Sequence, residues 1–285
     1  MATSELVLVS GKGGTGKSAL TAALAIEQAR RGRRVLAVDL GSGLGLGAHL
    51  RVTALDYRPV QVRPGLWAMT MVRAAALDEY LKTQLRVPHG APTGAVTAAL
   101  NVLVDTAPGV REIISIGKPI FELWKHEWDA VLVDTPSLGQ FQSYLRAPET
   151  IAAIVPTGNV QRQAAELATT LADRDTTRVV LVTTPAELPV IETMEAIATI
   201  RNEGLCPPPT VVVNRLVTTM SISDDAIATL PEGPFRDAAI HQRSVERLQE
   251  HWLEMLDYQA TLPYLMGVLT PGEVALRLAD SLEML

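Results

Sequence analysis

Apolar residues recur along the chain in two patterns, short unbroken runs and longer stretches with helical spacing. Leu6 to Val9 form one short run. Gly11, Gly13, Gly14 and Gly16 follow it, and Leu20, Leu24 and Ile26 then keep helical spacing to about Arg31. The pattern predicts a strand buried on both faces, a tight turn and a helix that stops at Gly32. Short runs recur at Val35–Val38, 129–134, 178–183 and 211–213, with weaker candidates at 66–72 and 262–265. Helices are expected over 149–172 with a break near 156–158, and over 189–201, 244–259 and 272–285. Residues 74–125 read mostly as helices interrupted at 88–92 and 107–109, with Val110, Ile113, Ile114, Ile120, Phe121 and Leu123 as an apolar face. That insert suits either a cap packed on the sheet or a groove for a protein client. Between 221 and 247 the pattern weakens, and Pro231, Gly233 and Pro234 mark a loop.

The first strand, turn and helix carry GKGGTGKS at 11–18. This is the G-x-x-x-x-G-K-[ST] phosphate cradle in its confirming context, with a strand before it and a helix after. Its chemistry is specific. Backbone N–H groups of Gly11, Lys12, Gly13, Gly14, Thr15, Gly16 and Ala19, with the helix N-terminus, suit phosphate oxygens. Lys17 reaches the terminal phosphates and the Ser18 hydroxyl is a magnesium ligand. ATP or ADP with Mg2+ is therefore the expected cofactor. The fold class that follows is α/β, a doubly wound, mostly parallel sheet of P-loop NTPase type, with 1–285 as one domain and the helical insert at about 74–125.

Three later residues sit at strand ends on the edge where such sheets bind ligands. Asp134, closing the DAVLVD run, reads as the acid that holds the magnesium shell, or as a helix N-cap. Asp39 could reach the same metal through water or cap a turn. Asn214 can pair both ways with an adenine edge or simply turn the chain. Thr135 to Gly139 have the place of switch II. Between Leu40 and Leu55 the chain has four glycines and no Asp or Glu. A carboxylate there would normally orient the attacking water, so hydrolysis is expected to be slow or to depend on another subunit.

Composition narrows the setting. Of the 285 residues, 47% are hydrophobic but only 4% aromatic, which suits buried parallel strands rich in Val, Leu, Ile and Ala. A net charge of −6 argues against a nucleic-acid surface. Cys206 is the single cysteine, which excludes an internal disulfide and any multi-cysteine zinc site. No apolar run reaches membrane-spanning length, no leader is evident, and the 272–285 helix has an acidic rather than basic polar face. A cytoplasmic protein without a stable membrane anchor is expected.

Lys12, a second lysine inside the loop, resembles the signature lysine of the deviant P-loop ATPases, which include the MinD/ParA group and the arsenite-pump/guided-entry group; the alternative is a solvated loop lysine. GKGGTGKS, APGVRE (107–112), VLVDTPSLGQFQSYL (131–145), LVTTPAELPVIETMEAI (181–197) and VVVNR (211–215) together resemble the arsenite-pump/guided-entry family in its bacterial branch. The likeness is greatest to short actinobacterial members that work as pairs of related subunits. The resemblance implies a homodimer or heterodimer with a related ATPase subunit and an unidentified protein client. It also makes Lys12 catalytic across the dimer beside Lys17 and Asp134, and Asn214 the adenine reader. Family features absent here are the switch I aspartate, the switch II Pro-Thr-Gly, and the cysteines that bind zinc or arsenite. A catalytically weak partner subunit and a MinD/ParA-like positioning ATPase are the other functional classes.

Overall fold

The computed structural model describes residues 4–41, 43–84, 109–155 and 157–282. One eight-stranded sheet carries the architecture. In chain order its strands are β1 (Glu5–Gly11), β2 (Val35–Asp39), β3 (Val60–Arg63), β4 (Leu66–Thr70), β5 (Ala130–Ser137), β6 (Thr177–Thr183), β7 (Thr210–Leu216) and β8 (Ala260–Pro263). They lie side by side as β3-β4-β2-β5-β1-β6-β7-β8. Every pairing is parallel except the β3/β4 hairpin at one edge. The strand order reverses at β1, so its C-terminal end opens into the crevice where doubly wound sheets place ligands.

Alternation along the strands divides the core into two layers. Leu6, Leu8, Leu36, Val38, Val131, Val133, Val179 and Leu181 face one side, and Val7, Val9, Val35, Ala37, Leu132 and Val182 face the other. The second side is covered by α1 (Lys17–Arg30), α2 (Leu44–Leu50) and α10 (Pro271–Leu282), through residues such as Leu20, Ile26, Leu46 and Leu278. The first side is covered by α4 (Val110–Trp124), α5 (Leu138–Ile154), α6 (Asn159–Ala172) and α7 (Glu187–Glu203). Each fully buried Leu or Ile contributes roughly 1.5–3 kcal/mol, and β1 is apolar on both faces because both are roofed. The remaining helices are α3 (Arg73–Gln84), α8 (Asp224–Ala228) and α9 (Pro234–Leu253).

Of the expected insert, α3 and α4 lie among the described residues, and the break expected at 88–92 lies outside them. Ile116, Ile120 and Leu123 of α4 pack into the sheet's core layer, while Leu77 of α3 meets Val110 and Ile114. A buried ionic cluster joins the two helices. Lys118 Nζ lies 2.7 Å from Glu79 and 2.8 Å from Glu122, and it stands 4.6 Å from the centre of the Tyr57 ring. Tyr57 donates its hydroxyl hydrogen to Glu79.

Four elements differ from the sequence expectation. The glycine-rich stretch after β2 contains α2, which Leu46 and Leu50 stabilise by burial. Residues 60–63 form β3, a half-exposed edge strand whose alternation is weak. The helix expected from 149 begins at Leu138 and carries Pro148 in its interior. Pro234, read as loop, is the first residue of a 20-residue helix that ends at Leu253. Proline is pre-organised for that first position because no intrahelical N–H bond is needed there.

Candidate functional site

The loop between β1 and α1 is shaped by its own carbonyls. The Lys12 carbonyl accepts from Thr15 N–H (3.3 Å), Thr15 Oγ1 (2.9 Å) and Lys17 Nζ (3.3 Å). Gly16 caps α1 with φ 100°, no side chain caps the helix, and its first turn holds no acid. The N–H groups at this end therefore keep their affinity for an external anion. Gly16 also has no room for a side chain, since a Cβ would fall 2.3 Å from Asn214 Nδ2.

Asn214, at the end of β7, is built into this loop. Its Nδ2 donates to the Thr15 carbonyl (2.8 Å) and its Oδ1 accepts from Arg215 N–H (2.9 Å). Arg215 holds a left-handed φ of 61°. The amide thus braces the loop. Beside it opens a cleft of about 650 Å3 between the loop and the β8–α10 region, walled by Gly16, His49, Asn214, Tyr264, Leu265 and Val274. His49, Tyr264 and Leu265 were not candidates from sequence, because nothing in their spacing marks a wall contributed by distant elements.

Lys17 and Ser18 also line a second cleft of about 400 Å3, which contains Asp39 and Asp134. The two aspartates are register partners on adjacent parallel strands, and both are buried. Burial pushes the Asp134 carboxyl up to about 7, with Asp39 adding to the rise and the Ser18 hydrogen bond and Lys17 opposing it. Its Oδ1 has no hydrogen-bond partner. Burial lowers the Lys17 ammonium, and the nearby Asp134 charge works the other way. Asp39 is also raised by burial, against backbone N–H bonds from Gly41, Gly43 and Leu46. Asp39 therefore caps the turn into α2, one of the two roles its position allowed, and it also neighbours Asp134.

This donor set fits magnesium. A buried carboxylate oxygen without a partner, a serine hydroxyl and a second carboxylate nearby leave most coordination positions to phosphate and water, as that ion prefers. Among the described residues no group of three or more His, Cys, Asp or Glu could hold a metal by itself.

The segment expected to be switch II, residues 135–139, is fastened to β1. Thr135 Oγ1 donates to the Val9 carbonyl (2.9 Å) and Ser10 Oγ to the Pro136 carbonyl (2.9 Å). Lys12 points out of the loop and its ammonium pairs with Glu192 of α7 in the same chain. Gly11, Gly13 and Gly14 complete the loop, and Ala19 is buried in the first turn of α1. Lys17 and Ser18 line both clefts, with Asn214 in the first and Asp39 and Asp134 in the second, while Lys12 turns away from both toward Glu192.

A family model described as anion-transporting ATPase matches residues 4–168. The chain belongs to this family. The match runs from β1 into α6 and so takes in the glycine-rich loop, both aspartates and the 135–139 segment of this anion-transporting ATPase family member. ATPase BagA of Mycobacterium tuberculosis is 33% identical over 221 residues, 74% of this chain and 64% of that protein. ATPase GET3 of Podospora anserina is 24% identical over 146 residues, 51% of this chain and 43% of that protein. The chain therefore spans less than two thirds of the length of these relatives. No helix among the described residues is long and apolar enough to cross a membrane.

Proposed function

We propose that this family member is an ATP-binding dimeric switch that hydrolyses ATP slowly or with a partner's help, and that its nucleotide state governs binding of a protein client. The observation that carries the reading is the orphaned Asp134 Oδ1 beside Ser18 and Lys17, at the uncapped start of α1. A buried carboxylate oxygen left there without a hydrogen bond is costly unless a cation shares the site.

In this reading the loop N–H groups and Lys17 bind the β- and γ-phosphates. Ser18 and Asp134 hold magnesium, with Asp39 reaching it through water. When bound, magnesium would neutralise phosphate charge, and Lys17 and the loop N–H groups would keep the γ-phosphate in place. Asn214 keeps the loop in shape and offers its remaining donor and acceptor to adenine. Lys12 leaves Glu192 to meet the nucleotide of a facing subunit, as the likeness to signature-lysine ATPases implies, so ATP and association become linked.

Binding of a fluorescent ADP and particle mass by light scattering, each with and without Mg2+, test the proposal. The expected result is magnesium-dependent binding lost in Lys17→Ala and a rise in mass with ATP. Wild-type protein that binds no adenine nucleotide would overturn it.

A second reading, a nucleotide-holding subunit with little turnover that completes a heterodimer, draws on the absence of any acid from Leu40 to Leu55. It predicts nucleotide binding without hydrolysis in the isolated chain.

A further inference from the structure

The cleft on the Asp134 side of Lys17 has two side chains that the binding scheme leaves unused. Arg73 is the first residue of α3, just past the C-terminal end of β4, and Gln140 lies in the first turn of α5, six residues after Asp134. Both line the 400 Å3 space with Lys17, Ser18 and Asp134. Both are exposed, and among the described residues neither makes a side-chain hydrogen bond or ion pair.

The carboxylates of that cleft are otherwise committed. Asp39 takes the N–H groups of Gly41, Gly43 and Leu46, and Asp134 is bonded to Ser18. The segment from Leu40 to Leu55 holds no third acid, and its helix α2 packs closely on the start of α1. A Cβ on Gly45 would lie 2.9 Å from Ser18 Oγ. Yet phosphoryl transfer needs a group that orients water and a cation that meets the charge spreading over the phosphate oxygens. A glutamine amide can accept from the water and donate to the phosphate at once. A guanidinium offers a fixed fork of donors to phosphate oxygens.

Building on the ATP reading above, we propose that Gln140 orients the attacking water and Arg73 stabilises the transferring phosphoryl group, both from within the same chain, in place of a switch I carboxylate. The water oxygen bonds to the γ-phosphorus as the bond to the β–γ bridging oxygen breaks. The electron pair leaves with ADP, and the water's proton passes by way of a phosphate oxygen to solvent, leaving ADP and inorganic phosphate.

Steady-state phosphate release by the wild-type chain, Gln140→Ala, Arg73→Ala and Arg73→Lys, alongside fluorescent-ADP binding, tests this. Gln140→Ala is expected to lower kcat by at least about tenfold and Arg73→Ala by about a hundredfold or more, with KM and ADP affinity within threefold. Arg73→Lys should recover part of the loss, since it keeps charge but not the fork. Both side chains are exposed, so unchanged thermal midpoints should accompany the kinetic loss. Either alanine variant turning over within threefold of wild type would overturn the assignment. So would wild-type protein that binds nucleotide but releases no phosphate, and that outcome leaves the nucleotide-binding reading standing. Failure to bind nucleotide would sink both.

Discussion

The brace between Gly16 and Asn214 can be tested by a double-mutant cycle. Gly16→Ala places a methyl group 2.3 Å from Asn214 Nδ2 and puts a side chain at φ 100°. The left-handed backbone costs about 1–2 kcal/mol. Asn214 must also swing away, losing its 2.8 Å bond to the Thr15 carbonyl, for roughly 1 kcal/mol more. The single variant should thus lose about 2–3 kcal/mol. Asn214→Ala loses the same hydrogen bond for about 1 kcal/mol but leaves space where the new methyl group would go. The double variant should therefore be no less stable than Gly16→Ala alone, a coupling of about 1 kcal/mol. Urea unfolding midpoints at constant slope measure all four corners. Additivity within about 0.4 kcal/mol would refute the contact, because independent sites behave that way.

Further outcomes follow from other sites. Lys118→Met should destabilise by about 1–3 kcal/mol, since it leaves buried Glu122 with only the half-exposed Lys125 as a cationic partner, and Lys118→Met with Glu122→Leu should recover much of that in the same urea assay. Burial would raise the Glu122 carboxyl, but its bonds to Lys118 and Lys125 win and hold it below its ordinary range. Its contribution is therefore present above the unfolded value of 4.5 and lost as pH falls through the lower folded one, so acid melts of wild type should steepen below that point relative to the double variant. Glu192→Gln releases Lys12 from a half-exposed pair worth less than about 1 kcal/mol, so stability should hardly move while ATP-linked association tightens by up to about fivefold in sedimentation. Burial pushes the Cys206 thiol up to about 12. Iodoacetamide at pH 8 should accordingly label the folded chain at least about a hundredfold more slowly than the urea-unfolded chain.

The legibility of this chain in sequence follows from how local each signal is. The cradle needs glycines, a lysine and a serine at fixed offsets between a strand and a helix, so it reads directly. Asp39 and Asp134 read nearly as well, because an acid closing a buried apolar run marks a strand's C-terminal end. α2 was hidden because LGLGAHL has poor helix propensity, and only burial of Leu46 and Leu50 against α1 and α10 makes it a helix. Pro234 misled because one residue type serves both a loop and a helix start. Arg73 stands outside every motif in the sequence, and Gln140, although inside the 131–145 block, has no role that its spacing marks. The one available hint was the position of Gln140 just past the switch II stretch.

The buried seat of α1 has a mechanical consequence. It lies wedged between the sheet and α10, and Arg30 bonds Asp280 at 2.8 Å across their outer ends. Under the ATP reading proposed above, a rod so enclosed resists tilting, and displacement on binding is expected in the short glycine-rich segment that leans on Ser18 and in the opening turn of α5. Grip and signal are thereby divided between separate parts. A dye on α2 should change its emission with nucleotide, whereas one near Arg30 should stay silent.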